Sequence, residues 1–141
     1  VWLLGRPNRV THFFQNAASE TRGVMDNTLG VLEYGNAIAT VDIAAMEARP
    51  MARRFEVYGT KGTAIMEPFE PADTIQLTLE EAQAGYEKGI NIVNIEDRPR
   101  YVDTFAELVR NIKGESQPLR SWDHELLVQE TLMRVTGGLT G

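Results

Sequence analysis

The chain has 141 residues, no cysteine, a formal charge of −6 at pH 7, 43% hydrophobic and 24% charged residues. Disulfides, thiolate catalysis and cysteine-ligated metal are thereby excluded, and a chain of this size buries roughly 68–70% of its unfolded surface, enough for one core. The acidic balance and the lack of a basic stripe disfavour nucleic acid and anionic membranes as partners, because phosphate binding draws on clustered Lys and Arg.

No run approaches the ~20 apolar residues of a membrane helix, and a basic n-region followed by an apolar h-region is missing. A cytoplasmic location is the expectation. The first residues, Val1-Trp2-Leu3-Leu4, are apolar and meet Gly5 and then Pro7, the way a helix ends. An ending without a beginning predicts a fragment cut inside a helix, with 1–4 as the helix remnant and 5–141 as one domain. An N-terminal tag or a processed start is the alternative.

Strand patterns follow. Val10-Thr11-His12-Phe13-Phe14-Gln15 is β-branched and aromatic, and residues 16–22 are polar and read as a loop. Residues 28–34 and 37–46 alternate on either side of Gly35-Asn36, which predicts a tight hairpin with a positive φ at its turn. In the second run, Ala37, Ala39, Val41, Ile43 and Ala45 share one face; Ile38, Thr40, Asp42, Ala44 and Met46 share the other. Both faces are substantially apolar, so both require a cover.

Residues 53–58 and 63–66 form the next strand pair, and 74–79 and 90–95 a further two strands, separated by the polar connection 80–89. After residue 100 the period changes: Tyr101, Phe105, Leu108, Val109 and Ile112 lie on one helical face, and Lys113-Gly114 supplies a basic last turn with a glycine cap. Ser121 is the N-cap of a second helix through about Val135, ended by Gly137-Gly138. Strands first and helices afterwards predict an α+β domain: a single, mostly antiparallel open sheet with helices packed on one face. The other face is then available for oligomerisation, a homodimer being the simplest cover.

Gly59-Thr60-Lys61-Gly62 raises the question of a phosphate loop. The two phosphate fingerprints, G-x-G-x-x-G and G-x-x-x-x-G-K-[ST], each lie between a strand and a helix whose N-terminus faces the anion. The tetrapeptide matches neither spacing and precedes the strand-like Thr63-Ala64-Ile65-Met66, so it reads as a reversal with Lys61 at its tip.

Two histidines are present. His12 lies mid-strand beside Phe13 and Phe14 and reads as structural; His124, in Asp123-His124-Glu125, reads as a surface or capping residue at a helix start. A triad of Ser121, Asp123 and His124 is rejected, since sequence neighbours do not converge on one substrate atom. Glu67, Glu70 and Asp73 read as a solvated loop rather than a metal site, because regular ligand spacing with a turn glycine is lacking. Of Arg53 and Arg54, one is expected in solvent and one paired with a neighbouring strand. Arg98 and Tyr101 place a cation beside an aromatic, and such groups can clamp a carboxylate or phosphate. No residue is assigned a catalytic, cofactor-binding or metal-binding role.

The order of Trp2-Leu3-Leu4-Gly5-Arg6-Pro7, Val10, Asp26-Asn27 with residues 29–34, Arg54-Phe55-Glu56-Val57-Tyr58-Gly59-Thr60-Lys61-Gly62-Thr63, then 101–105 and Ile112 resembles the C-terminal domain of the glucose-fructose oxidoreductase/inositol dehydrogenase (Gfo/Idh/MocA) family. The resemblance implies a parent that oxidises a sugar or polyol with NAD or NADP, makes 5–141 its substrate-binding and oligomerisation domain, and makes Arg98 and Tyr101 the candidate substrate-lining residues, because in that family the segment ahead of the first helix of this domain approaches substrate. It also implies a separate Rossmann domain, and a catalytic set made of a Lys in a Glu-Lys-Pro motif with an Asp and a His on the helix leading into W-L-L-G. This sequence contains neither Glu-Lys-Pro nor G-x-G-x-x-G, so the expectation is a catalytically silent domain that binds no nucleotide itself. A stand-alone α+β binding or dimerisation module is the alternative.

Overall fold

The computed structural model describes residues 1–96, 99 and 101–139. The chain divides into two compact units, Val1–Ala48 with Leu108–Gly141, and Arg49–Glu107.

The first unit is built on a three-stranded antiparallel sheet of β1 (Arg9–Gln15), β2 (Asn27–Glu33) and β3 (Ile38–Ala44), with β2 in the middle. Hairpin register sets Glu33 opposite Ile38, and the Tyr34 amide donates to the Ala37 carbonyl at 2.9 Å, so Gly35-Asn36 is the two-residue turn expected. The expected positive φ is absent, because neither Gly35 nor Asn36 lies in the left-handed region. Rows of neighbours follow from the register. His12, Gly30 and Val41 stand side by side, as do Val10, Leu32 and Ala39.

Helix α2 (Trp122–Val135) packs over β1 on the face of these rows. Ser121 caps its N-terminus by accepting from the His124 amide at 3.2 Å. Its end is a Schellman turn: Gly137 at φ 73° donates to Arg134 O and Gly138 to Met133 O at 2.8 Å. Under this helix Leu32 is only 6% exposed, the one buried hydrophobic side chain among the described residues. The opposite face of the sheet is open, with Phe13 58% and Ile38 72% exposed. At the chain's beginning, Gly5 takes φ 73° and donates to Val1 O at 2.7 Å, the left-handed cap that the Leu4-Gly5 junction predicts.

The second unit carries a four-stranded antiparallel sheet in sequence order: β4 (Phe55–Gly59), β5 (Gly62–Met66), β6 (Thr74–Leu79) and β7 (Gly89–Asn94). The connection before β7 turns through Ala84, Gly85 and Gly89, all at positive φ, and is tied down by Asn91, whose amide donates to Glu87 O at 2.8 Å and Gly89 O at 3.1 Å.

The α+β class is as expected, but the single sheet is not: there are two. The alternation on either side of residues 45–54 looks continuous in sequence, yet that segment contains Pro50, which has no N–H for a ladder, and it leaves β3 through a turn in which the Glu47 amide donates to Ala44 O. β4 therefore does not extend the first sheet.

Helix α1 (Val102–Ile112) is amphipathic as its period predicts and closes in a second Schellman turn at Gly114, φ 73°. The expectation that helices cover a sheet face holds for α2. α1 buries none of its residues, and Phe105, Leu108, Val109 and Ile112 are all exposed.

Candidate functional site

Of the two candidate substrate-lining residues, Arg98 lies outside the described residues. Tyr101 stands immediately before α1, where its carbonyl accepts from the Phe105 amide at 2.9 Å. Its side chain is 62% exposed and its φ is +70°, a left-handed backbone that a bulky residue rarely adopts. Strain of that kind concentrates at binding and switch positions. The ring is thus presented outward from a constrained backbone at a helix start.

The Gly59–Gly62 tetrapeptide closes the β4–β5 hairpin, with Gly59 opposite Gly62 and Thr60-Lys61 at the tip. Lys61 O accepts from the Glu80 amide at 3.0 Å, and β5 begins at once, so no helix N-terminus faces the turn. The need for glycine at 62 is steric. A Cβ there would lie 2.4 Å from Thr78 O on the neighbouring strand. These residues do not fit the phosphate group of a dinucleotide.

The cations flanking β4 are both engaged. Arg53 pairs with Glu70, and Arg54 pairs with Glu56 and, at 3.2 Å, with Glu67. One of the two is expected in solvent and one paired; both side chains are about half exposed and both are paired, because the acidic loop after β5 comes back alongside β4, where the Phe69 amide donates to Arg53 O at 2.8 Å. Tyr58 donates to Glu56 Oε2 at 2.7 Å, and this bond above all holds its hydroxyl proton more tightly than in a free tyrosine.

Neither histidine is arranged for proton transfer to a nucleophile. His12 is half-buried, stacked on Phe14 with ring centroids 4.5 Å apart, and its Nδ1 lies 3.0 Å from Arg134 O. A carbonyl only accepts, so the proton sits on Nδ1 and the imidazole ties β1 to the end of α2. His124 is half-buried rather than fully at the surface, with Trp2 edge-on to it at 5.3 Å. Ser121 Oγ accepts from the His124 amide in the helix cap.

Two carboxylates are tuned by geometry. Asp26 is buried and accepts from three consecutive amides, Ala17 at 2.6 Å, Ala18 at 2.9 Å and Ser19 at 2.5 Å. The Ala17 bond above all, with those of Ala18 and Ser19, holds it below the usual aspartate range despite burial. It thereby pins the loop between β1 and β2. Glu130 on α2 accepts at both oxygens from Arg6 Nη1, each at 2.8 Å, and Oε1 also accepts from Arg134 Nε at 3.1 Å. Arg6 above all lowers its proton affinity.

Arg6, Arg9 and Arg134 share with Glu130 the lining of a cleft of about 220 Å³ in the first unit. Sequence reasoning missed this grouping. The Glu130/Arg134 spacing is visible on a helix, but Arg6 is 124 positions away from Glu130 and only the tertiary fold brings it there.

Strands β1 to β4, most of β5, the glycine hairpin and the capped turn at Gly5 fall in the part of the chain where a comparison with known families is informative. Residues 1–65 match the family model of the GFO/IDH/MocA C-terminal domain. The Gfo/Idh/MocA resemblance seen in Trp2-Leu3-Leu4-Gly5-Arg6-Pro7 and in the β4–β5 hairpin is thus shown for a segment running from Val1 through β3 and β4 to Ile65 in β5. No curated protein matches the chain. Among the described residues, no helix is long and apolar enough to cross a membrane.

Proposed function

We propose that this chain serves as the C-terminal substrate-pocket and assembly domain of an NAD(P)-dependent oxidoreductase acting on a sugar or polyol, in the cytoplasm, and that it has no catalytic activity alone. The observation that carries this reading is the match of residues 1–65 to the GFO/IDH/MocA C-terminal domain.

Hydride transfer requires a nicotinamide held against the substrate and a base within hydrogen-bond reach of the alcohol proton. The described residues offer other things. His12 and Ser121 are committed to holding α2, and the one glycine-rich turn closes a hairpin. The nucleotide and the base then come from elsewhere in the assembled enzyme, while Tyr101, with Arg98, lines the substrate's side of the pocket. The constrained, outward-facing Tyr101 supports that role. Assembly is a homo-oligomer through the open face of the first sheet, supported by the exposure of Phe13 and Ile38 on the face away from α2.

Calorimetric titration of NAD and NADP into the 141-residue chain and into the complete enzyme tests the reading. Binding by the complete enzyme alone is expected; nucleotide binding by the chain alone overturns it. Light scattering at micromolar concentration tests assembly. A dimeric or larger mass is expected, and a monomeric mass would rule out the homo-oligomer.

A further inference from the structure

Strand β3 forms one edge of the first sheet, and ladder geometry fixes which backbone groups it presents there. The Tyr34 amide donates to Ala37 O at 2.9 Å and the Ala45 amide to Asp26 O at 2.7 Å, one at each end of the β2–β3 pairing. Backbone direction alternates along a strand, so Ala39, Val41 and Ile43 also turn their amides and carbonyls toward β2. Those of Ile38, Thr40 and Asp42 point away from the sheet. Edge strands are ordinarily protected by Lys, Pro, a bulge or a covering segment. β3 has neither Lys nor Pro, its register with β2 is unbroken, Asp42 is its one charge, and every residue in it except Ala39 is exposed.

Apolar side chains lie open beside this edge. α2 packs over β1 and reaches Gly30 in β2, but on the same face Val41 is left 45% and Ile43 53% exposed. A further strand would cover them, and the sequence of β3 suits a reversed copy of itself. A twofold axis at Val41 sets Val41 against its counterpart and the small Ala39 against the bulky Ile43 of the second copy. On the opposite face it sets Thr40 against Asp42, a hydroxyl donor beside a carboxylate, and the outward backbone groups of these two residues then bond each other across the axis. Other registers fit less well. An axis at Asp42 opposes like charges, and one at Thr40 sets Asp42 against Ile38.

We propose that β3 pairs edge to edge with β3 of a second copy of this chain, antiparallel and centred on Val41, so that the two first-unit sheets join into one. This contact is separate from assembly through the open face. Val41 shares its row with His12 and Gly30, on the α2 side of the sheet, and the edge pairs whether or not the open face does.

The chain has no cysteine, so single-cysteine variants of the 141-residue protein read the contact directly. Opposed residues that do not hydrogen-bond each other in an antiparallel pair lie about 4.5 Å apart at Cα, within disulfide reach. Val41→Cys, oxidised with diamide at micromolar concentration, is expected to give a disulfide-linked dimer on a non-reducing gel. Ile43→Cys is not, because its counterpart lies further along the partner strand, roughly 13 Å away. Thr40→Pro removes an outward N–H and no bond to β2, and should slow the linkage of Val41→Cys about tenfold. Failure of Val41→Cys to link, equal linkage of Ile43→Cys, or undiminished linkage in a folded Thr40→Pro background overturns the pairing, whatever mass light scattering gives for the open-face assembly. The two cysteine variants decide the matter even if Thr40→Pro loses its fold by circular dichroism.

Discussion

A Cβ placed on Gly30, in the middle strand of the first sheet, would lie 2.7 Å from Cγ1 of Val135 in the last turn of α2. The helix approaches the sheet this closely because the sheet offers no side chain at that point, while His12 and Phe14 on β1 hold the following turn from the side. Gly30→Ala forces α2 outward or Val135 off its rotamer, and overpacking of this sort costs about 1–3 kcal/mol. Urea denaturation should show that loss. A second substitution, Val135→Ala, should return part of it, and strict additivity in the double-mutant cycle would contradict direct contact.

Gly62 and Gly59 face each other across the β4–β5 turn but differ in what surrounds them. A Cβ on Gly62 meets Thr78 O at 2.4 Å and Leu79 Cδ2 at 2.9 Å, whereas one on Gly59 meets only Gly62 O, at 3.3 Å. Gly62→Ala is expected to lower the thermal midpoint by several degrees and Gly59→Ala by much less. Lys61→Ala, at the exposed tip, should stay within about 0.5 kcal/mol of wild type. Equal effects at 59 and 62 would show that β6 does not lie against Gly62.

Asp26 makes the loop between β1 and β2 sensitive to acid. Its folded-state proton affinity lies below the unfolded one, so the stabilisation is complete above the unfolded value of about 3.9 and is lost as pH falls through the lower folded value. Asp26→Asn should therefore be less stable than wild type by a constant amount between about pH 5 and 7, the difference shrinking below about pH 4. Hydrogen exchange at Ala17, Ala18 and Ser19 should quicken in the variant. A gap that does not change down to the lowest pH would assign the effect to something other than the carboxylate.

Ser121→Ala removes the side-chain acceptor of the His124 amide at the start of α2. The expected loss is about 1 kcal/mol, and Ser121→Asp should retain most of the stability because aspartate caps equally well. Urea midpoints of the three proteins check this. A Ser121→Ala protein as stable as wild type would mean the helix start is frayed in solution.

What the sequence determined by itself is local. Strand positions, both helices, the Ser121 cap and the glycine endings at Gly5, Gly114 and Gly137 were legible because each depends on residues a few positions apart. The reversal at Gly59–Gly62 was legible for the same reason: a strand, not a helix, follows it. The likeness to the Gfo/Idh/MocA C-terminal domain was readable from motif order, and residues 1–65 carry it. Tertiary structure decided the rest. Whether β4 continues the first sheet depends on hydrogen bonds between segments, and alternation on both sides of Pro50 is equally compatible with one sheet or two. The pairing of both Arg53 and Arg54, the three amides on Asp26 and the meeting of Arg6 with Glu130 are contacts between residues distant or differently facing in the chain. Charge count and period say nothing about such meetings, since a side chain's electrostatic surroundings are set by what the fold brings within a few ångströms.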